Sequence, residues 1–355
     1  MNILAIGINH KTAGIEIREK FYFTPLEQEL LLSELKNQPA LIEAFILSTC
    51  NRTELYLSTL PDTIDLNFVL NLFGNIKKIK NPAAFKKYFY IYSQEEAVRH
   101  LFRVTSALDS LVLGERQILG QVRSSFEKAK QKGLIGRYFN IMSNLAIRTG
   151  KKAQSETHIS YGGSSVSWAA VSLAEELLGS LKERSVLIMG AGKMSELAVG
   201  QMVNKKFRKL YLMNRTQANA EALAQQYCCM AAPFCDLKEI LAEVDLCICS
   251  VSAPHYIVDE LVVRKVMASR QNKLIFIDIS MPRNIDPQVA AIPHVHLFEI
   301  DDLDRVVTKN MEKRKTAAED VSALVDRNVK AFYQKIQKLT SVSPTDYLEP
   351  TPITQ

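Results

Sequence analysis

The sequence predicts an α/β multidomain protein in three parts: an N-terminal α+β unit of βαββαβ-like order, a doubly wound parallel-sheet unit, and a long C-terminal helix. Three observations carry that reading. The chain has 355 residues, enough for about two ordinary domains with real cores. Beyond residue 180, short apolar strands alternate with helical patterns, the rhythm of a parallel sheet covered on both faces. A Gly-Ala-Gly turn at 190–192 separates one of those strands from the next helix.

In the first part, residues 1–160, Asn2 to Ile8 reads as a buried strand. Thr24-Pro25-Leu26-Glu27 combines an N-cap, a proline at N1 and a glutamate at N3, so a helix runs from there to about Lys36. Ala44 to Ser48 and Glu54 to Thr59 are strands joined by a short link that contains Cys50. Tyr88 to Tyr92 is aromatic and strand-like, and Ser93-Gln94-Glu95-Glu96 reads as a second capping box opening a helix to about Ala107. Helical patterns follow from Glu115 to Lys132 and from Tyr138 to about Gln154.

Tyr161-Gly162-Gly163-Ser164 breaks the pattern, which puts a boundary there and a second part at 161–300. It opens with a helix from Ser165 to Leu178. Strands are expected at Ser185–Met189, Leu210–Met213, Leu246–Ser250 and Leu274–Ile279, and helices at Ser195–Val203, Ala218–Tyr227 and Asp259–Ser269. The third part, 301–355, starts with a charged helical pattern from Asp301 to about Leu339, roughly 58 Å at 1.5 Å per residue. A narrow apolar stripe along it, interrupted by Arg314 and Asn328, suits packing against the second part at one end. The segment from Ser341 to Gln355 is proline-containing and reads as loose.

Hydrophobic residues at 47% and charged residues at 23% make a globular mixture, which excludes a disordered tail protein. No apolar run is long enough for a membrane span, and the first residues lack the basic start of a secretory leader. Six cysteines without a Cys-x-x-Cys fit a reducing, cytoplasmic setting. Cys228, Cys229 and Cys235 read as packing residues and no metal site is expected. Of the net charge of +6, all lies in residues 1–160, with 21 Lys and Arg against 15 Asp and Glu. That excess would attract a polyanion such as RNA, and an ordinary solvated surface accounts for it equally.

Gly190-Ala191-Gly192-Lys193-Met194-Ser195 offers a tight turn, close backbone approach to a pyrophosphate, and free N–H groups at a helix start. Ser195 stands where a third glycine or alanine is usual and is small enough for close packing. At the end of the second strand an NAD site wants an acidic residue for the ribose 2′-hydroxyl. This chain has Asn214-Arg215-Thr216, whose guanidinium and hydroxyl suit a 2′-phosphate, so NADPH is the expected cofactor of a Rossmann domain.

Thr49-Cys50-Asn51-Arg52 follows a strand. A thiol at a strand end near an arginine suits a nucleophile of depressed pKa, while a buried inert cysteine explains the same residues. His100 shares a helix face with Ala97, Leu101 and Val104, which on spacing is a core histidine.

Several stretches in order resemble the glutamyl-tRNA reductase family over about residues 1–340. They are Gly7-Ile8-Asn9-His10-Lys11-Thr12, Ser48-Thr49-Cys50-Asn51-Arg52-Thr53-Glu54, His100-Leu101-Phe102-Arg103-Val104, Leu108-Asp109-Ser110, Gly114-Glu115-Arg116-Gln117-Ile118-Leu119-Gly120-Gln121, the 190–192 and 214–216 turns, and Asp278-Ile279-Ser280-Met281-Pro282-Arg283. The resemblance implies NADPH-dependent reduction of glutamyl-tRNA(Glu) to glutamate-1-semialdehyde, through a thioester on Cys50, at the entry to tetrapyrrole synthesis. It implies that Thr49, Asn51, Arg52, Ser110, Glu115, Arg116, Gln117 and Gln121 surround the glutamyl group, that Arg52 pairs with a carboxylate, and that His100 orients the substrate. It also implies docking of glutamate-1-semialdehyde aminotransferase. Family members usually continue into a helical dimerisation domain, shortened here, so the expectation is a monomer or weak homodimer. Two other readings compete: an NADP-dependent shikimate-dehydrogenase-like oxidoreductase, which needs a Lys and Asp pair in the first part, and a non-catalytic tRNA-binding paralogue.

Overall fold

The computed structural model describes residues 2–303, apart from 62, 161–164, 204 and 206, together with 315–341. Two sheets organise it. The first is antiparallel, ordered β2-β3-β1-β4, from β1 (Asn2–Asn9), β2 (Leu41–Ser48), β3 (Arg52–Thr59) and β4 (Tyr90–Ser93). Helices α1 (Ile15–Arg18) and α2 (Pro25–Lys36) join β1 to β2. The Thr24 capping box forms as the sequence predicts: Thr24 Oγ1 accepts from Glu27 N, and Thr24 N donates to Glu27 Oε2 at 2.8 Å. The helix that the order needs between β3 and β4 is α3 (Leu66–Lys77), which the sequence reading does not locate.

A second correction concerns Ser93. It precedes α4 (Gln94–Thr105) but its side chain makes no capping bond, and Gln94 sits at φ +50°. That left-handed turn breaks the backbone path a capping box requires. Helices α5 (Gln117–Gln131) and α6 (Arg137–Glu156) follow in the first unit. Its core is aromatic at the centre, with Phe45 stacked on Tyr56 at 4.6 Å and in contact with Phe126 and Phe139.

The second sheet is wholly parallel, ordered β10-β9-β8-β5-β6-β7. Its strands are β5 (Ser185–Met189), β6 (Lys209–Met213), β7 (Met230–Ala232), β8 (Leu246–Cys249), β9 (Leu274–Asp278) and β10 (Val295–Glu299). Every residue of β5 and β8 is buried, as expected where helices cover both faces. Those helices are α7 (Val166–Leu178), α8 (Lys193–Val203), α9 (Gln217–Tyr227), α10 (Leu237–Glu243) and α11 (Glu260–Met267). The chain runs outward from β5 to β7, then returns to β8 on the other flank, so the order reverses between β5 and β8. A crevice opens at the carboxyl ends of strands at such a reversal. β7, α10 and β10 escape the sequence reading.

The expected 161–164 boundary lies outside the described residues. So do residues 304–314 of the expected long helix, Arg314 among them, and residues 342–355 of the segment expected to be loose. That helix does not begin at Asp301: residues Ile300–Leu303 form a 3-10 turn, because the Asp301 carboxylate is drawn to Arg18 and the Asp302 carboxylate accepts from Glu299 N. The described C-terminal helix is Lys315–Ser341, 27 residues and about 40 Å long. Its apolar face, with Val321, Val325, Val329 and Phe332 buried, packs on α4 and α6 of the first unit rather than on the parallel sheet. Cys228 and Cys235 are exposed, the former at φ +53° where it ends α9, so they are not packing residues. Among the described residues no group of side chains is arranged to hold a metal, and no helix is long and apolar enough to cross a membrane.

Candidate active site

A cleft of about 880 Å³ separates the two units. One wall comes from the β2–β3 link and α5: Ser48, Thr49, Cys50, Gln117 and Gln121. The facing wall holds Gly190 to Met194, Asn214 to Thr216 and Met281. Of the residues singled out in sequence, the structure therefore brings Cys50, Thr49, Gln117 and Gln121 together with the glycine loop and the 214–216 turn.

The glycine turn has the required shape. Gly190 sits at φ +111°, and a Cβ there would lie 2.3 Å from Ser250 O and 2.7 Å from Ser195 Oγ. Ser195 is buried behind the loop, so it supports the turn without lining the cleft. At Gly192 nothing lies within 4 Å of a Cβ, which leaves open space for a ligand's approach. Lys193 opens α8, while Arg215 and Thr216 are exposed at the end of β6 with no carboxylate among them. The cradle thus fits a pyrophosphate at the helix start and an anionic group at Arg215.

On the other wall, Cys50 is half-buried, against the cofactor-side core. The expected depressed thiol pKa is overturned: burial, and behind it the Glu115 carboxylate, pushes the Cys50 thiol up to about 12. Arg18 and Arg52 pull it down without offsetting the burial, and Arg52 has nearer partners. Its guanidinium donates to Glu54 Oε1 at 2.7 Å and to the carbonyl of Asp109. Glu54, fully buried, also accepts from Tyr56 and Tyr90 hydroxyls and lies 2.9 Å from His100 Nε2. Burial opposes ionisation of Glu54, yet Arg52 and His100 outweigh it and hold the carboxyl well below the usual range. Asp109 closes the network with Lys11 at 2.9 Å and Arg103 at 3.2 Å.

Arg52, His100 and Glu115 are thus packed behind the cleft wall rather than on it. Glu115 is buried, and desolvation, against the pull of Arg52, raises its carboxyl to about 7. Asn51 is buried with its Oδ1 unpartnered. Ser110 is half-buried, and Arg116 is exposed at the start of α5, its carbonyl accepting from Gln154. Neither lines the cleft.

Sequence reasoning misses Tyr22, Phe234 and the Ser250–Ile257 segment, all of which line the cleft. Position after β8 at the order reversal is the signal that finds Ser250. Tyr22 carries none, because only the fold brings it to the cleft beside Cys50.

Residues 6–157 match the family model for the glutamyl-tRNAGlu reductase N-terminal domain, and residues 172–306 that for shikimate/quinate 5-dehydrogenase. A glutamyl-tRNA reductase of Thermodesulfovibrio yellowstonii is 40% identical over 350 residues, covering 96% of this chain and 81% of the relative. Another, of Carboxydothermus hydrogenoformans, is 41% identical over 94% of this chain and 74% of its own length. The solved glutamyl-tRNA reductase of Methanopyrus kandleri superposes with a TM-score of 0.52 at 32% identity, covering 95% of this chain and 81% of that one. With likeness of this extent across both walls of the cleft, the chain belongs to the glutamyl-tRNA reductase family of oxidoreductases.

Proposed function

We propose that the protein reduces glutamyl-tRNA(Glu) to glutamate-1-semialdehyde with NADPH, releasing tRNA, as the first committed step of tetrapyrrole synthesis. One observation carries the reading: Cys50 and the Gly190–Met194 loop line the same cleft. In the proposed division, residues 1–160 bind the glutamyl-tRNA and hold the nucleophile, 161–300 bind the cofactor, and 301–355 bring a helix back to the first unit. The positive excess of residues 1–160 favours a polyanionic substrate there.

In this mechanism Cys50 Sγ attacks the carbonyl carbon of the ester joining glutamate to tRNA. The C–S bond forms, the C–O bond to the ribose breaks, and the thiol proton ends on the departing ribose oxygen. Thr49, Asn51, Gln117 and Gln121 surround the glutamyl group, while Arg52 and His100 hold this wall in place from behind. The glycine loop and Lys193 would hold the pyrophosphate of NADPH, with Asn214, Arg215 and Thr216 around its 2′-phosphate. Bound there, the cofactor would supply hydride chemistry for the thioester carbonyl, which accepts a hydride more readily than an oxygen ester does. The carbon then releases the Cys50 sulfur, which recovers a proton as the aldehyde leaves. The reactive aldehyde is suited to direct transfer to a docked glutamate-1-semialdehyde aminotransferase.

The test is to mix the pure protein with glutamyl-tRNA and NADPH and assay semialdehyde. Cys50→Ser should abolish it, since a hydroxyl is a weaker nucleophile than a thiol and the oxygen ester it would form accepts hydride less readily than a thioester. Without NADPH, label from the glutamyl group should appear on the unmodified protein as a hydroxylamine-sensitive adduct. Unchanged turnover in the serine variant would remove Cys50 from the mechanism. The shikimate-dehydrogenase-like alternative draws no support from the cleft: the Lys11–Asp109 pair stands at 2.9 Å, but neither residue lines it.

A further inference from the structure

We propose that Arg283 and Arg18 are positioning residues that clamp the nucleotide unit against the Cys50 wall and so set the rate of the reduction step, not of acyl transfer. The proposal rests on the reading above. Arg283 is buried and donates to both Glu19 oxygens, at 2.7 and 3.1 Å, and to Glu299 Oε1 at 3.0 Å. Arg18, also buried, grips both Asp301 oxygens, at 2.8 and 3.2 Å, and the same carboxylate accepts from Ile15 N. Glu19 and Arg18 belong to the segment after β1, whereas Arg283, Glu299 and Asp301 follow β9 or end β10. Two arginine forks therefore bridge the units in opposite directions, each with the two-point geometry that fixes orientation as well as distance.

Both ends of the clamp adjoin the cleft. Arg283 lies two residues beyond Met281, and Glu19 three residues before Tyr22. Met281 and Tyr22 line the cleft, Tyr22 beside Cys50 on its wall. The connecting loop cannot give independently: the buried Asp278 carboxylate accepts from Ser280 N, Asn284 N and Ile285 N at 2.8–2.9 Å. A displacement at Arg283 is thus carried to residues 279–281. The cofactor cradle, by contrast, is built within the nucleotide unit and does not depend on the clamp.

Glu19→Gln weakens the bond across the units while leaving Arg283 paired with Glu299; Arg283→Gln removes the guanidinium that Glu19 and Glu299 share. Three quantities separate the outcomes: the glutamyl adduct on Cys50 formed without NADPH, its discharge after NADPH is added, and the rate of Cys50 alkylation by iodoacetamide. Peptide mass mapping keeps Cys50 apart from the exposed Cys228 and Cys235. Both variants should form the adduct normally and bind NADPH with unchanged affinity, yet discharge it about tenfold to a hundredfold more slowly, the scale of a misplacement near 1 Å. Cys50 should be alkylated faster as the cleft loosens. If Arg283→Gln fails to fold, Glu19→Gln carries the test. Normal adduct with unslowed discharge would overturn the clamp alone, as would adduct and discharge falling together. Absence of any adduct from the unmodified protein would overturn the acyl-enzyme reading and the clamp's part in it.

Discussion

Across the cleft, Arg52, Glu54, His100 and Asp109 are buried and satisfy one another, whereas Gly192, Lys193, Arg215 and Thr216 on the facing wall stand exposed. The first wall acquires its geometry when the chain folds. No member of its network can turn toward a ligand without leaving another charge buried and uncompensated. The second wall is backbone and long side chains awaiting a partner, as suits a ligand that exchanges at every turnover. One face is therefore vulnerable through stability and the other through affinity.

Variants can break that contrast in decreasing order of effect. Glu54→Gln strips the buried Arg52 of its partner, and should cost about 3–5 kcal/mol in denaturant unfolding. A change of less than about 1 kcal/mol would show the network to be replaceable. Glu115→Gln should reveal itself through pH. The folded-state pKa of Glu115 is raised from 4.5 to about 7, so stability is full below pH 4.5 and is lost as pH rises through about 7. The glutamine variant escapes that loss, and should exceed the unmodified protein by up to about 3 kcal/mol at pH 8.5 but not at pH 4. Parallel stability curves across that range would contradict it. The Cys50 thiol should also alkylate faster at pH 8.5 in this variant, since an ionised Glu115 is one of the causes that raise it.

On the open wall, Arg215→Ala should weaken NADPH by about 1.5–3 kcal/mol, ten- to a hundredfold, and leave NADH and the unfolding midpoint unaffected. Kinetics with both cofactors decide this. The smallest structural effect belongs to Gly192→Ala, where an added Cβ meets no atom within 4 Å: stability should move by no more than about 1 kcal/mol, while cofactor affinity falls. A large destabilisation there would mean that the loop is as tightly built as the opposite wall.

Legibility in the sequence follows the same divide. The glycine loop, the 214–216 turn and Cys50 are local signals, each a short motif at a strand end, and all three reach the cleft. The Thr24 box is equally local and forms as read. What depends on distant chain does not show: the capture of Arg52 by the Asp109 carbonyl, the raised Cys50 pKa, and Tyr22 at the cleft beside Cys50. Ser93 illustrates the reverse error, a valid local pattern overridden when Gln94 turns to φ +50°. Helix α3 is an omission of the reading rather than a silence of the sequence: Asp65 caps it, and Leu66, Val69, Leu70 and Phe73 repeat at the i, i+3, i+4, i+7 spacing of an amphipathic helix.

The packing of Lys315–Ser341 on α4 and α6 makes the first unit discontinuous in the chain. The polypeptide leaves it after α6, builds a complete parallel sheet from β5 to β10, and only then returns with Val321, Val325 and Phe332 to seal the earlier core. During synthesis the nucleotide unit is whole before the unit that precedes it in sequence is finished. The usual order, in which the N-terminal part of a chain folds first, is inverted for the last layer of this core. Until that helix emerges, part of α4 and α6 presents bare apolar surface to the ribosome's surroundings.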